Sequence, residues 1–264
     1  MKKYLTVTKS SFIAGLLYKV HFFFQLFGNM TYLILIYFLW RSIFKNSDGT
    51  INGMTFEQVF IYLALASSIL PIFQTWIEWE MSGSIIRGTI VKDLTKPVDY
   101  QLLNLFGALG FALNNLATVT VPSLVIVCII AGSYINLGAN LLVFVAALVL
   151  AYLISFAIDY CIGLISFYTE SVWGIIVTKE VIILLLSGAV MPLSFFPQNV
   201  RSVVEFLPFH AIFNTPLTIL ISKDLSFQDY IGLILNQAFW VVVLFALGRV
   251  FYMKAIKVVT VNGG

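Results

Sequence analysis

Charged residues are scarce in this chain. Its 264 residues include 15 Lys and Arg and 12 Asp and Glu, so that only 10% are charged, whereas a soluble domain carries roughly 25%. Hydrophobic residues make up 60% of the chain, and the mean hydropathy is +0.99. This composition excludes an ordinary soluble domain. It predicts an integral membrane protein in which residues 1–264 form one membrane domain, with no room for a large soluble one.

Cysteine and histidine are also rare. Cys128 and Cys161 lie in apolar runs and form neither a CxxC pair nor a disulfide framework. His21 and His210 are too far apart in the expected topology to share a metal ion. We therefore expect no catalytic residue, no metal site and no cofactor in the chain itself.

Sequence motifs for several functions are missing. There is no G-x-x-x-x-G-K-[ST] loop, no HExxH or GxSxG, and no basic patch with interleaved aromatics for nucleic acid. A membrane-embedded enzyme would need such a constellation. An ion-coupled secondary transporter would need intramembrane carboxylates or repeat halves with paired broken helices, and neither is evident. A non-transporting membrane scaffold or immunity-type protein is harder to exclude, because it needs no chemistry.

Long apolar runs dominate what is present, and six of them are long enough for a spanning helix. The predicted spans cover about Val20–Phe44, Phe56–Ile77, Leu103–Ala131 with a kink at Pro122, Leu137–Tyr160, Ile175–Phe196 and Ile231–Tyr252. The sequence thus predicts an all-α membrane protein with six transmembrane helices.

The positive charges predict an orientation. If the N-terminus is inside, only Arg41, Lys45, Arg201 and Lys223 fall outside, and the other eleven Lys and Arg are cytoplasmic. We therefore expect a multi-pass protein of the plasma membrane with both termini in the cytoplasm.

The N-terminal nineteen residues favour an interfacial helix on the inner surface of the membrane. Leu5, Phe12 and Leu16 share a stripe at helical spacing. Lys9 lies on the same stripe, which makes the amphipathic pattern imperfect, although a lysine can reach the interface.

The longest cytoplasmic loop, from Glu78 to Gln101, contains a second short helix. Ser82 or Ser84 is a candidate N-cap. Ile86, Ile90 and Leu94, spaced by four, then lie on one face of this helix, and Pro97 ends the element. Such a helix suits docking into a soluble partner or lying on the lipid surface, and the residues alone do not decide between the two.

The stretch from Leu184 to Pro216 is apolar but repeatedly interrupted. It contains Pro192, Pro197, Pro208 and Pro216, and no piece after Phe196 is long enough to span a bilayer. Broken helices at membrane depth need protein or water to satisfy their backbone. We expect a re-entrant helical hairpin on the outer side, before the last span, of the kind that forms a gate.

A few polar residues fall within the predicted spans. Asn114 and Asn115 are mid-span, where they either bond neighbouring helices or line a substrate path. Asp159, Lys179 and Glu180 lie near inner helix ends. We interpret them as anchors at headgroup level, with an Asp159–Lys179 pair as the alternative.

Three sequence features together resemble the permease subunit of ABC-2-type ABC exporters, in the group whose permease and ATPase are separate chains. The residues that carry the resemblance are Ser187, Gly188, Pro192, Leu193 and Pro197, then Leu207, Pro208, Phe209 and Pro216, and in the inner loop Gly83, Ile85, Leu94, Lys96 and Pro97. With the six-helix layout, the likeness extends over nearly the whole chain.

The resemblance implies an ATP-driven exporter. Two copies of a cytoplasmic P-loop ATPase would bind ATP and Mg²⁺, and this chain would pair with a second permease, either a copy of itself or a related chain. The inner loop would be the coupling helix, with ATPase contacts at Ser84, Ile85, Ile86, Arg87, Ile90, Lys92 and Leu94. The outer gate would comprise Gly188, Pro192, Pro197, Pro208 and Phe209. We expect Asp at Ile86 or Ile90 to uncouple ATP hydrolysis from export without affecting insertion. Nothing in the sequence identifies the cargo.

Overall fold

The chain is predominantly helical, as predicted. The computed structural model describes residues 1–17, 19–45, 49–131, 140–169, 171–222 and 225–258. These segments contain the helices α1 (Lys2–Leu17), α2 (Lys19–Phe44), α3 (Phe56–Phe73), α4 (Ile77–Ile86), α5 (Ile90–Leu94), α6 (Tyr100–Asn115), α7 (Val121–Ala131), α8 (Asn140–Ile165), α9 (Trp173–Leu186), α10 (Gln198–Phe206), α11 (His210–Ile221) and α12 (Phe227–Ala255). A π-helical turn at Leu116–Thr120 joins α6 to α7, and 3₁₀ turns cover Leu193–Phe195 and Ile256–Val258.

Five helical segments among the described residues are long and apolar enough to cross a bilayer. They are Phe22–Phe44, Phe56–Ile86, Tyr100–Ile129, Asn140–Ile165 and Phe227–Val258. These segments match the first, second, third, fourth and sixth predicted spans, although the predicted start of the fourth, Leu137, lies outside the described residues. Helices α10 and α11 are bent by 104° and make a sixth span if they are counted as one.

The predicted fifth span, Ile175–Phe196, is wrong in its C-terminal half. Helix α9 ends at Leu186, and its 14 residues extend only about 21 Å, short of the roughly 30 Å of hydrocarbon. Gly188 has a φ of +88°, and Pro192 precedes a 3₁₀ turn. The chain therefore leaves the helix after Ser187 and continues as an irregular segment.

The predicted second span, Phe56–Ile77, is interrupted. Helix α3 ends at Phe73, and α4 restarts at Ile77 after a non-helical linker. Pro71, in the last turn of α3, has no N–H to continue the helical hydrogen bonds. Trp76 has a φ of 55°, which is unusual for a bulky residue. Since α3 has 18 residues, the break lies about 27 Å along the span.

The predicted kink in the third span is present in a different form. Instead of a bend at Pro122, a π-helical turn at Leu116–Thr120 comes directly before it, and the N–H of Val121 donates to the Leu116 carbonyl. Turns of this type often mark functional sites in helices.

One end of the molecule, here called the termini end, gathers the start of α1, the start of α6 and the end of α12. The Arg249 guanidinium bonds the Asp99 carboxylate, and Tyr100 stacks on Tyr252 with ring centroids 5.3 Å apart. The Asp99 N–H donates to the Tyr4 hydroxyl over 3.0 Å. The segments predicted to share the cytoplasmic side are thus adjacent in the fold.

The opposite end, here called the hairpin end, holds the segment between α9 and α11. A two-stranded ribbon, β1 (Thr50–Ile51) and β2 (Met54–Thr55), lies there with an Asn52–Gly53 turn. The Ser194 hydroxyl donates to the Met54 sulfur over 3.3 Å. The ribbon was not predicted, although Asn-Gly is a strong hairpin signal.

Helix α1 runs alongside α6 rather than apart from it. The Thr8 hydroxyl donates to the Phe106 carbonyl over 2.8 Å. A Cβ on Gly110 would lie 2.4 Å from the Thr8 carbonyl oxygen, so only glycine permits this backbone approach. The predicted helix is present, and Leu5 and Leu16 of its predicted apolar stripe are exposed, so they take no part in this packing.

The main core lies where α11 packs between α3, α8 and α12. Gln237 of α12 is fully buried, and its amide donates to the Ala147 carbonyl over 3.1 Å and to the Ala211 carbonyl over 2.8 Å. A second apolar cluster, near the termini end, includes Ile77, Met81, Ile90, Tyr100, Phe156, Tyr160 and Leu164. The break between α3 and α4 lies between these two clusters.

Candidate functional site: a polar cavity at a broken helix

A cavity of about 180 Å³ opens beside the break between α3 and α4. Its wall is formed by residues of α3, α4, α8, α9 and α11 and of the linker between α3 and α4. They are Leu70, Phe73, Gln74, Thr75, Trp76, Glu78, Ser155, Asp159, Lys179, Glu180, Ile183, Leu184 and Phe213. The wall therefore combines apolar and aromatic side chains with a compact set of charges.

Three of these charges form an ion cluster. Lys179 Nζ lies 2.8 Å from Glu78 Oε1 and 2.8 Å from Asp159 Oδ1. The Thr75 hydroxyl donates to Asp159 Oδ2 over 2.6 Å. Glu78 and Asp159 are each only 2% exposed, and buried charges persist in proteins only where they are paired. The Glu78–Asp159–Lys179 cluster thus bonds α4, α8 and α9 to one another.

The break exposes backbone carbonyls that must find donors. The Ser155 hydroxyl donates to the Phe73 carbonyl over 3.0 Å. The Asn115 amide donates to the Pro71 carbonyl over 2.9 Å. Side chains from α8 and α6 therefore stabilise the broken end of α3.

Among the charges predicted near the inner helix ends, Asp159 and Lys179 form the ion pair that was given as the alternative interpretation. Glu180 is exposed, although it also lines the cavity. Glu78 was not among the predicted site residues, because the predicted second span ends at Ile77 and Glu78 falls in the loop after it.

Two further cavities adjoin this one. The first, of about 330 Å³, shares Thr75 and Trp76 with it and is also lined by Asn114 and Asn115. The Asn114 amide additionally approaches the Phe12 carbonyl at 3.4 Å. Both asparagines therefore bond neighbouring helices, and both also line this cavity.

The second adjoining cavity, of about 390 Å³, leads toward the hairpin end. It shares Leu70, Gln74 and Leu184 with the cavity at the break and reaches Ala189 and Val190. Through these shared residues the three cavities are neighbours, with Gly15 of α1 at one end and Ala189 and Val190 after α9 at the other.

The predicted coupling residues lie at the termini end but not on one helix. Helix α4 ends at Ile86, Gly88 has a φ of +66°, and α5 begins at Ile90. The predicted shared face of Ile86, Ile90 and Leu94 is therefore wrong. Ile86 is 68% exposed, whereas Ile90 is 5% exposed and packs in the second apolar cluster.

The other coupling residues divide in the same way. Arg87 and Lys92 are exposed, whereas Ser84, Ile85 and Leu94 are half-buried. Ser84 lies inside α4, where its hydroxyl donates to the Met81 carbonyl, so neither it nor Ser82 is the predicted N-cap. The exposed tip of this loop consists of Ile86, Arg87 and Gly88.

The predicted gate residues gather at the hairpin end. Gly188, Pro192 and Pro208 are buried, Phe209 is half-buried and Pro197 is exposed. A Cβ on Gly188 would lie 2.6 Å from the Tyr62 hydroxyl of α3. The Asn214 N–H of α11 donates to the Ser187 carbonyl over 3.0 Å. This segment is therefore clamped between α3 and α11, far from the coupling residues.

Comparison with known protein families agrees with this architecture. The model of the family described as ABC-2 family transporter protein matches residues 30–263, nearly nine-tenths of the chain. The chain belongs to the ABC-2 transporter family. No curated protein matches it.

Membership of the ABC-2 family fixes the general role. The chain is a multi-pass membrane permease, the membrane component of a transporter rather than its catalytic part. Permeases of this family generally work with an ATPase and dimerise. The resemblance stated from the sequence is thereby confirmed.

Proposed function

We propose that this chain forms the substrate pathway of an ATP-driven exporter in the plasma membrane, with ATP and Mg²⁺ bound by two copies of a separate cytoplasmic ATPase. Both termini and the tip at Ile86–Gly88 face the cytoplasm in this proposal, in accord with the charge distribution. A second permease, identical or related, completes the pathway.

The position of α4, between the exposed tip and the buried ion cluster, supports this function most directly. Its C-terminal end is the exposed tip at Ile86, and its first turn contributes Glu78 to the buried ion cluster. The helix has 10 residues and is about 15 Å long. A displacement of the tip by the ATPase would therefore move Glu78 relative to α8 and α9.

Helix α9 extends the same connection to the hairpin end. Lys179 bonds the ion cluster, and eight residues later Ser187 bonds Asn214 of α11 through its carbonyl. A change at the cluster would thus reach the segment around Gly188 along one helix. We assign the tip to ATPase docking and the Gly188–Phe209 segment to the outer gate.

Exposed apolar side chains supply a surface for the second permease. On α9, Trp173, Val181 and Leu185 are exposed, and on α2 Phe27, Leu35 and Phe38 are exposed. Large apolar surfaces of this kind are covered by lipid or by another subunit.

The first test is purification of the full chain in mild detergent after expression with its neighbouring genes. Recovery of a stoichiometric P-loop ATPase supports the proposal, and a second permease-like chain would show a heterodimer. Recovery of the chain alone across several detergents contradicts the proposal and favours a scaffold or secondary transporter.

The second test is Ile86→Asp, measured as ATPase binding and ATP-dependent transport in vesicles. A docked Ile side chain contributes about 1.5–3 kcal/mol, so we expect ATPase affinity to fall roughly 10- to 100-fold. Thr95→Asp places the same charge on an exposed residue of the same loop and serves as the control. Wild-type transport by Ile86→Asp contradicts the docking assignment. Ile90→Asp cannot serve here, because its buried position makes loss of the fold the expected result.

A further inference from the structure

The cavity of about 390 Å³ that leads toward the hairpin end, here called the amide cavity, has no charged side chain in the described part of its wall. Glu80 and Glu180, which are exposed, line the two neighbouring cavities instead. The polar part of the wall consists of amide and hydroxyl side chains, which are Gln25, Asn29, Tyr32, Ser67 and Gln74. The amide cavity is therefore polar but uncharged.

Three polar groups of this wall have no partner and are accessible. The Gln25 amide, the Gln74 amide and the Tyr32 hydroxyl make no hydrogen bond with the described part of the chain. Gln74 is exposed, whereas Gln25 and Tyr32 are half-buried, and the nitrogen and oxygen atoms of these two side chains are not among the buried polar atoms of the described residues. These groups are thus open to a molecule that enters the cavity.

The linker that carries Gln74 is anchored on both sides of this residue. The Phe73 carbonyl before it accepts a hydrogen bond from the Ser155 hydroxyl over 3.0 Å. The Thr75 hydroxyl after it donates to Asp159 over 2.6 Å. The backbone of the linker is therefore held by the protein, while the Gln74 amide stays free. A fixed backbone with a free polar side chain suits a binding site, because few groups have to be ordered when a ligand binds.

The rest of the wall is apolar. Leu70, Val119 and Leu184 line it, and it continues to Ala189 and Val190 after α9. Its volume of about 390 Å³ lies within the range of ~300–1,000 Å³ that is typical of small-molecule sites, in which a few polar groups in an apolar wall set the orientation of the ligand. The amide cavity therefore has room for an apolar body beside its polar groups.

The open groups favour one kind of polar ligand group. A carboxamide offers both donors and an acceptor, and a phenolic hydroxyl can donate or accept. A charged group that entered this cavity would lose its hydration without an opposite charge in the described wall, which is costly. An uncharged carboxamide or hydroxyl group can exchange its hydrogen bonds to water for bonds to Gln25, Gln74 and Tyr32.

We infer that the amide cavity binds the uncharged hydrogen-bonding group, a carboxamide or a hydroxyl, of an amphipathic substrate, with the Gln25 and Gln74 amides as its partners. The inference rests on the proposed function, because it names the substrate class of that pathway. The apolar body of the substrate contacts Leu70, Val119 and Leu184.

The test uses four photoreactive probes that share one apolar body. They are aryl trifluoromethyl diazirines that carry a carboxamide, a hydrogen, a carboxylate or an aminomethyl group in the para position. The full chain, with every subunit that co-purifies, is labelled in phosphatidylcholine nanodiscs, and mass spectrometry of its peptides locates the label. Labelling at Leu70 reports the amide cavity. Labelling at Phe27, which is 71% exposed on α2, reports the probe that is dissolved in the lipid.

The expected result is labelling at Leu70 that saturates at a lower concentration in the membrane for the carboxamide probe than for the other three. The loss of one hydrogen bond should raise the half-saturating concentration of this probe roughly 2- to 10-fold. Gln25→Leu and Gln74→Leu should each have this effect and leave the probe without a polar group unaffected. Gln228→Leu, which removes an exposed amide of α12, is the matched control and should label like the wild type.

Three results overturn the inference. One is equal saturation by the carboxamide probe and the probe without a polar group. Another is tighter binding of a charged probe. The third is unchanged carboxamide labelling in the variant that combines Gln25→Leu with Gln74→Leu; if that variant also fails to recover the second permease, the two amides belong to the contact between subunits.

Failure of this inference differs from failure of the proposed function. ATP-dependent transport without preference for the carboxamide probe removes only the substrate class. Carboxamide-selective labelling of a chain that recovers no ATPase supports the binding site and contradicts the exporter.

Discussion

Replacement of Lys179 by Met is the sharpest test of the ion cluster. The change removes the one ammonium that contacts both Glu78 and Asp159 and keeps an unbranched side chain of similar length. Two buried carboxylates then face each other without a counter-charge. Loss of one partner from a buried pair costs about 3–5 kcal/mol.

The free energy of unfolding would be measured by titration with dodecyl sulfate in mixed micelles. We expect Lys179→Met to lower it by about 3–5 kcal/mol. The matched control is the triple variant Lys179→Met, Glu78→Gln, Asp159→Asn, in which no charge remains. Because neutral replacements of buried ion clusters are often tolerated, the triple variant should recover most of the loss.

Two results would refute this reasoning. Wild-type stability of Lys179→Met would mean that the carboxylates do not depend on the ammonium. Equal loss in the single and triple variants would mean that Lys179 acts by packing rather than by charge. The single variant must insert into the membrane for either comparison, which a glycosylation-site or protease-protection assay establishes beforehand.

Substitutions of Glu78, Gly188 and Gly110 test three other contacts. Glu78→Gln should leave the unfolding free energy unchanged or raise it, because it leaves a neutral Lys179–Asp159 pair. A loss as large as that of Lys179→Met would contradict the idea that the cluster has one carboxylate too many. Gly188→Ala should destabilise by about 1–3 kcal/mol, since its φ is +88° and its Cβ would lie 2.6 Å from the Tyr62 hydroxyl; unchanged thermal stability would refute the clamp. Gly110→Val should detach α1, because a Cβ would lie 2.4 Å from the Thr8 carbonyl oxygen; faster proteolysis within residues 1–17 checks it, and unchanged proteolysis contradicts it.

The two glycine variants share a control in α12. A Cβ on Gly232 would meet nothing within 4 Å, so Gly232→Ala changes only helix propensity. It should stabilise by up to about 1 kcal/mol and leave proteolysis of α1 unchanged. A loss of stability in Gly232→Ala would show that any glycine replacement harms this protein.

The positions of the spans could be predicted from the sequence, because the hydropathy of a span is summed over about twenty residues. Helices α2, α8 and α12 lie where their apolar runs lie. The break between α3 and α4 was not found, because Pro71 is surrounded by residues that keep the average high. The polar pair Gln74 and Thr75 after that proline was the available signal.

The sequence predicted a short helix in the inner loop, but not the break at Gly88 that divides α4 from α5. Spacing by four puts Ile86, Ile90 and Leu94 on one face only if the helix is continuous. Gly88 lies between them and adopts a positive φ, which ends α4 and rotates α5. The glycine was visible in the sequence, but the spacing of the isoleucines reveals neither its positive φ nor the burial of Ile90 in the second apolar cluster.

The ion cluster could be predicted only in part. The rule that intramembrane charges find partners suggested the Asp159–Lys179 pair. Glu78 lies 101 positions before Lys179 in the chain, and no periodicity connects residues so far apart. Only the packing of α4 against α8 brings the third charge to the site.

The composition of the cluster fits a moving part better than a fixed one. A neutral ion pair would suffice to hold α9 against α8, and apolar residues would often hold it equally well. The second carboxylate, from the helix that ends at the exposed tip, adds a charge that one ammonium cannot balance. In this arrangement one residue, Glu78, belongs both to the ion cluster and to the helix that would contact the ATPase.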